Sequence, residues 1–289
     1  MIVSPAPNRQ RTFRPPTHWK PRRGRLRTAS GSPIHTLEVF VLVPALLLLA
    51  LAHPLPRPTA DKPSVGADVI RMMHDKYDGK WYRTATFLQR TIRPDAPVEV
   101  WYEALAVPGS LRIDIAPLTA QNVLLFHGDS LYRYVNGELK MSRPFVHPLL
   151  LLGFDVYGQP VEKTVASLTT LGYDLSKLHA GTWQGRKVWV VGAAEGDTLT
   201  KQFWVDQERL VFVRSLGPHP QKPGVGTEVQ FNKYVTLGKG WIETEALFLE
   251  DGKLVTTEEY HDPVAEPVPP LDPAIFLPGP YRQPGWVKE

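Results

Sequence analysis

The chain has 289 residues, 21% charged and 10% aromatic, with a formal net charge of +4 and no cysteine. The missing thiols exclude disulfides, Cys-ligated zinc, iron–sulfur clusters and a cysteine nucleophile. Residues 1–52 hold eight Lys/Arg and one acid, so the remainder, with 25 basic and 28 acidic residues, is net negative at −3 and offers nucleic acid no electrostatic footprint.

Residues 39–52, VFVLVPALLLLALA, are fourteen uncharged and mostly aliphatic positions. A spanning helix needs about 20 such residues. With basic residues upstream and the small-x-small pattern of Ala50 and Ala52 at its end, the run predicts a secretory signal over 1–52, cleaved before His53. The product would be periplasmic or secreted. The alternative is an inner-membrane anchor made by an uncleaved 39–52 segment. Residues 53–63 carry four prolines and read as a spacer.

A helix is expected next, over 64–79, because Val69, Ile70, Met73 and Tyr77 fall on one helical face. Ser64 is its expected cap and Gly79 its end. The stretch GKWYRTATFLQRT (79–91) then alternates as a strand, with Tyr82 and Leu88 on the partly exposed side. Further strands are expected over 98–107, 111–116, 122–128 and 130–142, with a type I′ turn at Asn136-Gly137. Two helices interrupt at 145–155 and 160–174, and strands resume at 187–193, 201–206, 210–216, 226–236, 241–250 and 253–261. Turns are expected at 206–209 and at Asp251-Gly252. From Pro263 the tail holds eight prolines in 22 residues and is expected to be extended. Short links between successive strands favour antiparallel pairing. The expectation is therefore a mainly β (α+β) fold over 64–280: a single open antiparallel β-barrel of about eleven strands, with helices against the concave face. The proline-rich tail, 263–289, overlaps its end.

Three patterns could carry chemistry. Gly128-Asp129-Ser130-Leu131 is the block around the nucleophile of one esterase class. That chemistry needs a strand-to-helix turn and a late Asp-x-x-His. Ser130 instead opens a hairpin strand and no such motif follows, so a Ser130 hydrolase stands as the last of three readings. EEYHD (258–262) sets two candidate metal ligands on each strand face, too few for a site, and reads as a solvated edge strand. Glu243 and Glu245 read as an exposed strand face. His127, His147 and His179 read as isolated loop histidines. No enzyme activity, metal or cofactor is expected. What remains is an apolar inventory of eight Trp, ten Tyr and eleven Phe, mainly on strands, suited to a concavity that could hold an apolar ligand or simply pack on itself.

MHDKYDGKWYRTATFLQRT, VPGSLRIDIAP and NVLLFHGDSLYRYVNG, in this order, resemble the LolA-like periplasmic lipoprotein carriers of outer-membrane lipoprotein sorting. KQFWVDQERLVFVR and LDPAIFLPGP match in character, so the resemblance covers about residues 64–280. It implies an open barrel with a helical lid whose partners are the acyl chains of a lipid or lipoprotein. The same fold also serves as a sensor that binds another envelope protein, with a filled cavity. By the resemblance Ala85, Phe87, Leu111, Ile113 and Ile115 face the cavity, and Tyr102, Phe126, Phe231 and Phe248 complete the expected lining. In one departure, Val107 stands where the carrier has a lid-latching arginine. The chain thus resembles a divergent member, expected to be a monomer.

Overall fold

The computed structural model describes residues 62–287, all within the compact unit Pro58–Glu289. The expected signal at 1–52 and most of the spacer lie outside the described residues. Among the described residues no helix is long and apolar enough to cross a membrane.

Helix α1 (Gly66–Tyr77) buries the expected face: Val69, Ile70, Met73 and Tyr77 are all at most 5% exposed. Its start differs from expectation. The Asp68 carboxylate, not Ser64, is the capping group, accepting from the Ser64 hydroxyl (2.8 Å), the Ser64 N–H (2.8 Å) and the Val65 N–H (3.2 Å). An acid in the first turn also complements the helix dipole.

Fifteen strands follow in two runs. The first is β1 (Thr84–Ile92), β2 (Glu99–Ala106), β3 (Ser110–Ile115), β4 (Asn122–His127), β5 (Ser130–Val135) and β6 (Glu138–Pro144). Helices α2 (Pro148–Gly153) and α3 (Val161–Thr170) come next. The second run is β7 (Leu178–Trp183), β8 (Arg186–Val191), β9 (Gln202–Asp206), β10 (Phe212–Pro218), β11 (Gly226–Asn232), β12 (Val235–Leu237), β13 (Gly240–Ile242), β14 (Glu245–Glu250) and β15 (Lys253–Ala265). Thirteen strands form one antiparallel sheet in the order β6-β5-β4-β3-β2-β1-β15-β14-β11-β10-β9-β8-β7, and β12-β13 form a separate hairpin. Each run is a meander, and the pairing of β1 with β15 joins them.

The sheet is mainly β and antiparallel as expected, but it holds thirteen strands instead of eleven and does not close. Its edges, β6 and β7, are not paired with each other. Lys140, Arg143 and Pro144 on the exposed β6 are the residues that blunt such an edge. The expected turns form: Asn136-Gly137 (φ 53° and 76°) and Asp251-Gly252 (φ 46° and 74°) take the left-handed backbone of a type I′ hairpin. At 206–209 the Asp206 carboxylate accepts from the N–H groups of Glu208 (2.9 Å) and Arg209 (2.8 Å). Tyr82, expected on an exposed back, is 4% exposed and its hydroxyl donates to the Trp241 carbonyl at 3.1 Å. It precedes β1, so the alternation that governs the strand does not reach it.

The tail packs across the back of the sheet. Ile275 and Phe276, in a short 3-10 turn started by the Asp272 carboxylate (2.9 Å to Ala274 N–H), cover Ala104. The buried Arg112–Asp114 pair (2.7 Å) lies beneath the tail. The Arg112 guanidinium stacks over Trp286 (5.2 Å) and Tyr281 (5.7 Å) and donates to the carbonyls of Ile275 and Arg282.

Candidate functional site: a walled apolar cavity

One cavity of about 510 Å³ is lined by residues of β4, β3, β2, β1, β15, β14, β11 and β10. At about 4.8 Å between neighbours, eight strands laid flat would span about 34 Å. A single cavity touching both the first and the last means that the sheet curls around it. The segment from His147 to Phe154 covers the concave side, with Leu149 and Leu150 facing the cavity. Gly153 makes close seating possible, since a Cβ there would stand 3.0 Å from the Phe231 ring.

The cover is anchored just past its C-terminal end, over 155–158, without an arginine latch. The Asp155 carboxylate accepts from the Gly109 N–H at 2.7 Å. Beside it Val107 packs on Gly158, so tightly that a Cβ on Gly158 would come within 2.7 Å of Val107 Cγ1. In the same turn Tyr157 stacks on Trp81 with ring centroids 3.8 Å apart, and Tyr77 meets both rings edge-on. His147 is half-buried, and its Nδ1 accepts from the Leu150 N–H at 3.2 Å. Burial lowers its pKa to about 4, which keeps the ring neutral.

Six of the nine expected lining residues wall the cavity: Phe87, Leu111, Ile113, Phe126, Phe231 and Phe248. Three do not. Ala85 shares the Phe87 face but is fully buried in the core beyond the cavity. Ile115 shares the Ile113 side of β3 yet lies outside the cavity wall. Tyr102 is on the opposite face, because its neighbours Trp101 and Glu103 both line the cavity and side chains alternate along a strand.

Sequence reasoning missed the polar floor. Gln89, Glu103, Glu243, Glu258 and Tyr260 all face the same cavity. Register brings four of them together: Phe87 lies opposite Glu103, Gln89 opposite Tyr260, and Thr91 opposite Glu258. The Gln89 amide donates to the Thr91 hydroxyl at 2.7 Å, and the Tyr260 hydroxyl donates to Glu258 at 3.1 Å. Glu103 and Glu243 are 4% and 1% exposed, and Oε1 of each has no hydrogen-bond partner. Burial raises both carboxyls well above the ordinary carboxylate range, reinforced at Glu103 by Glu258 and Glu243 and at Glu243 by Glu258. Glu258 is raised to about 7 by burial, against the opposing Tyr260, Gln89 and Arg93.

Two expectations about these acids are corrected. Glu243 is not on an exposed face with Glu245. β13 ends at Ile242 and β14 begins at Glu245, so the break resets the alternation. The 258–262 segment is not an edge strand, since β15 lies between β1 and β14. Among the described residues no group of three His, Cys, Asp or Glu side chains is placed to hold a metal ion. His147 and His179 are likewise not plain loop residues, the first being the α2 cap and the second lying on β7. His127, on β4, bonds through Nδ1 to the Ser110 hydroxyl at 2.9 Å, while the Ser130 hydroxyl bonds only to the Gly128 carbonyl at 3.4 Å.

The raised acids set a pH dependence of stability. Asp155 is pushed up to about 7 by burial, against its Gly109 bond and Lys163. Folded-state pKa values above the unfolded ones mean that the native protein holds protons near neutrality that the unfolded chain has released. Their stabilisation is complete below the unfolded carboxylate range and is lost as pH rises through about 7. His147 works the other way below about pH 6.5 without outnumbering the acids. Thermal unfolding should therefore show a higher midpoint at about pH 6 than at about pH 8, with part of the difference removed in Asp155→Asn. A higher midpoint at the more alkaline pH contradicts this.

No family model matches the chain, and no curated protein matches it. Among solved structures, a LolA superfamily protein of Nitrosomonas europaea is 13% identical, covering 73% of this chain and 97% of its own, with a TM-score of 0.43. A domain described as an outer membrane lipoprotein-sorting protein, of Vibrio parahaemolyticus, is 14% identical over 72% and 94%, with a TM-score of 0.47. A DUF1329 family protein of Desulfovibrio piger is 13% identical over 73% and 95%, with a TM-score of 0.48. The chain is similar to LolA superfamily structures. At such identities a likeness concerns the fold alone, and the meaning of the site rests on this chain's own residues.

Proposed function

We propose that the protein is an exported envelope protein that takes acyl chains of a lipid or lipoprotein into the cavity, as a carrier or chaperone. The observation that carries this reading is the empty space of about 510 Å³ that remains with Leu149 and Leu150 in place. A sensor or protein-docking use of the fold would call for helical leucines that fill the centre. Instead Leu151 and Leu152 turn into the packed core, and the walls stay apart. The volume suits a small apolar ligand. Burial supplies the affinity, at about 0.8 kcal/mol for each CH₂ taken from water. No covalent step is needed, so the role is a non-enzymatic one. Export rests on the apolar run at 39–52.

The test is mass spectrometry of the protein purified from its native envelope. Co-purifying lipid or acylated peptide is expected. No bound lipid, together with no binding of an added acylated peptide, rejects the reading.

A further inference from the structure

The proposed acyl-chain reading explains the apolar walls but not the floor. Desolvating a carboxyl is costly unless something is gained. Here Glu103 and Glu243 are buried in a cavity wall with an oxygen each left unpartnered. Glu258 stands close enough to raise the pKa of both. Such groups carry acceptor capacity that no side chain of the fold uses.

Resting on that reading, we propose that the ligand is a cationic amphiphile, with an alkylammonium end seated on Glu103, Glu243 and Glu258 and its chain lying along Phe87, Leu111 and Phe248. Near neutral pH Glu103 and Glu243 hold protons; an ammonium displaces them to solvent, and the charge pairs so formed select the amine. The other groups facing the cavity do not neutralise the acids. Lys201 Nζ is committed to the Leu171 carbonyl at 2.6 Å, and His147 is held neutral by burial. Arg93, the cation acting on Glu258, is paired with Glu99 at 3.0 Å. An anionic head would meet three carboxyls and, among the described lining residues, no unpaired cation. An ammonium brings three N–H donors, and each charge-assisted bond it makes is stronger than a neutral one. A bare metal ion fits less well, because the acids are not placed for ligation at about 2.0–2.6 Å, whereas an ammonium bonds at about 2.7–2.9 Å.

Isothermal titration calorimetry near neutral pH with dodecylamine, dodecanol and dodecanoate, each below its aggregation concentration, decides the point. The three share a chain and differ in the head. On the wild-type protein the amine should bind about tenfold or more tightly than the alcohol, with the carboxylate weakest. The Glu103→Gln/Glu243→Gln double variant should lose the amine's advantage over the alcohol. If that variant does not fold, Glu258→Gln is measured in its place and should lower the ratio. Binding of the alcohol with no preference for the amine overturns this inference and leaves the acyl-chain reading standing. Binding of none of the three overturns both. A preference that persists undiminished in a folded Gln variant overturns the assignment to these acids.

Discussion

Replacing Trp81 with alanine is expected to lower folding stability by about 3–5 kcal/mol, the usual range for deleting a buried aromatic. Trp81 is 7% exposed and sits where three elements meet. It stacks on Tyr157 at 3.8 Å and Tyr82 at 5.2 Å and meets Tyr77 edge-on at 4.9 Å. Gly240 of β13 lies against its far side, where a Cβ would come within 2.7 Å of the ring. The indole therefore ties the end of α1, the helical cover and the small hairpin together. Alanine would leave a void bounded by rigid rings that cannot collapse into it, and the cavity adds to the lost transfer energy. The Trp81 Nε1 has no hydrogen-bond partner, so no polar group would be orphaned by its removal. Trp81→Phe, which keeps a ring against Tyr157, should cost markedly less. Urea unfolding of the two variants checks the ranking; equal losses, or a loss below about 1 kcal/mol for alanine, contradict this account of the cover.

The second large effect is on binding. Leu111→Trp should reduce affinity for an apolar ligand by about tenfold or more while changing stability by no more than about 1 kcal/mol. Leu111 is half-buried and faces the cavity from β3, between Leu105 of β2 and Phe126 of β4. A larger side chain there grows into empty space instead of into packed atoms. Occupied volume is then lost to the ligand with little strain. Fluorescence displacement of an apolar dye, paired with thermal unfolding, separates the two quantities. Unchanged affinity in a folded variant means that the ligand sits elsewhere.

Much of this architecture is legible in the sequence because it is local. The α1 face, the Asn136-Gly137 and Asp251-Gly252 hairpins and the alternation of Leu111 and Ile113 are set by neighbours a few residues apart. What is not legible depends on long-range pairing. β15 reads as a solvated edge until β1 is placed beside it, some 170 residues earlier in the chain, as the Arg90–Glu259 pair at 2.8 Å shows. Tyr102 and Trp101 are equally aromatic; only the register that sets Gln89 opposite Trp101 decides which of them faces inward. β7 (Leu178–Trp183) carries His, Ala, Gly and Thr between its apolar ends, so it lacks a strand signature and is held by pairing with β8. The polar floor did leave a trace. Gln89 keeps step with Phe87, and Glu103 keeps step with Leu105, so polar residues recur on faces that are otherwise apolar. Such an interruption marks a functional hollow better than any single motif in this chain.

The central claim is that the cavity binds through burial of alkyl chains, and affinity against chain length measures it most directly. In a series of linear alcohols, each added CH₂ should tighten binding by about fourfold, corresponding to about 0.8 kcal/mol, until the cavity is full. A flat dependence on chain length would contradict the account.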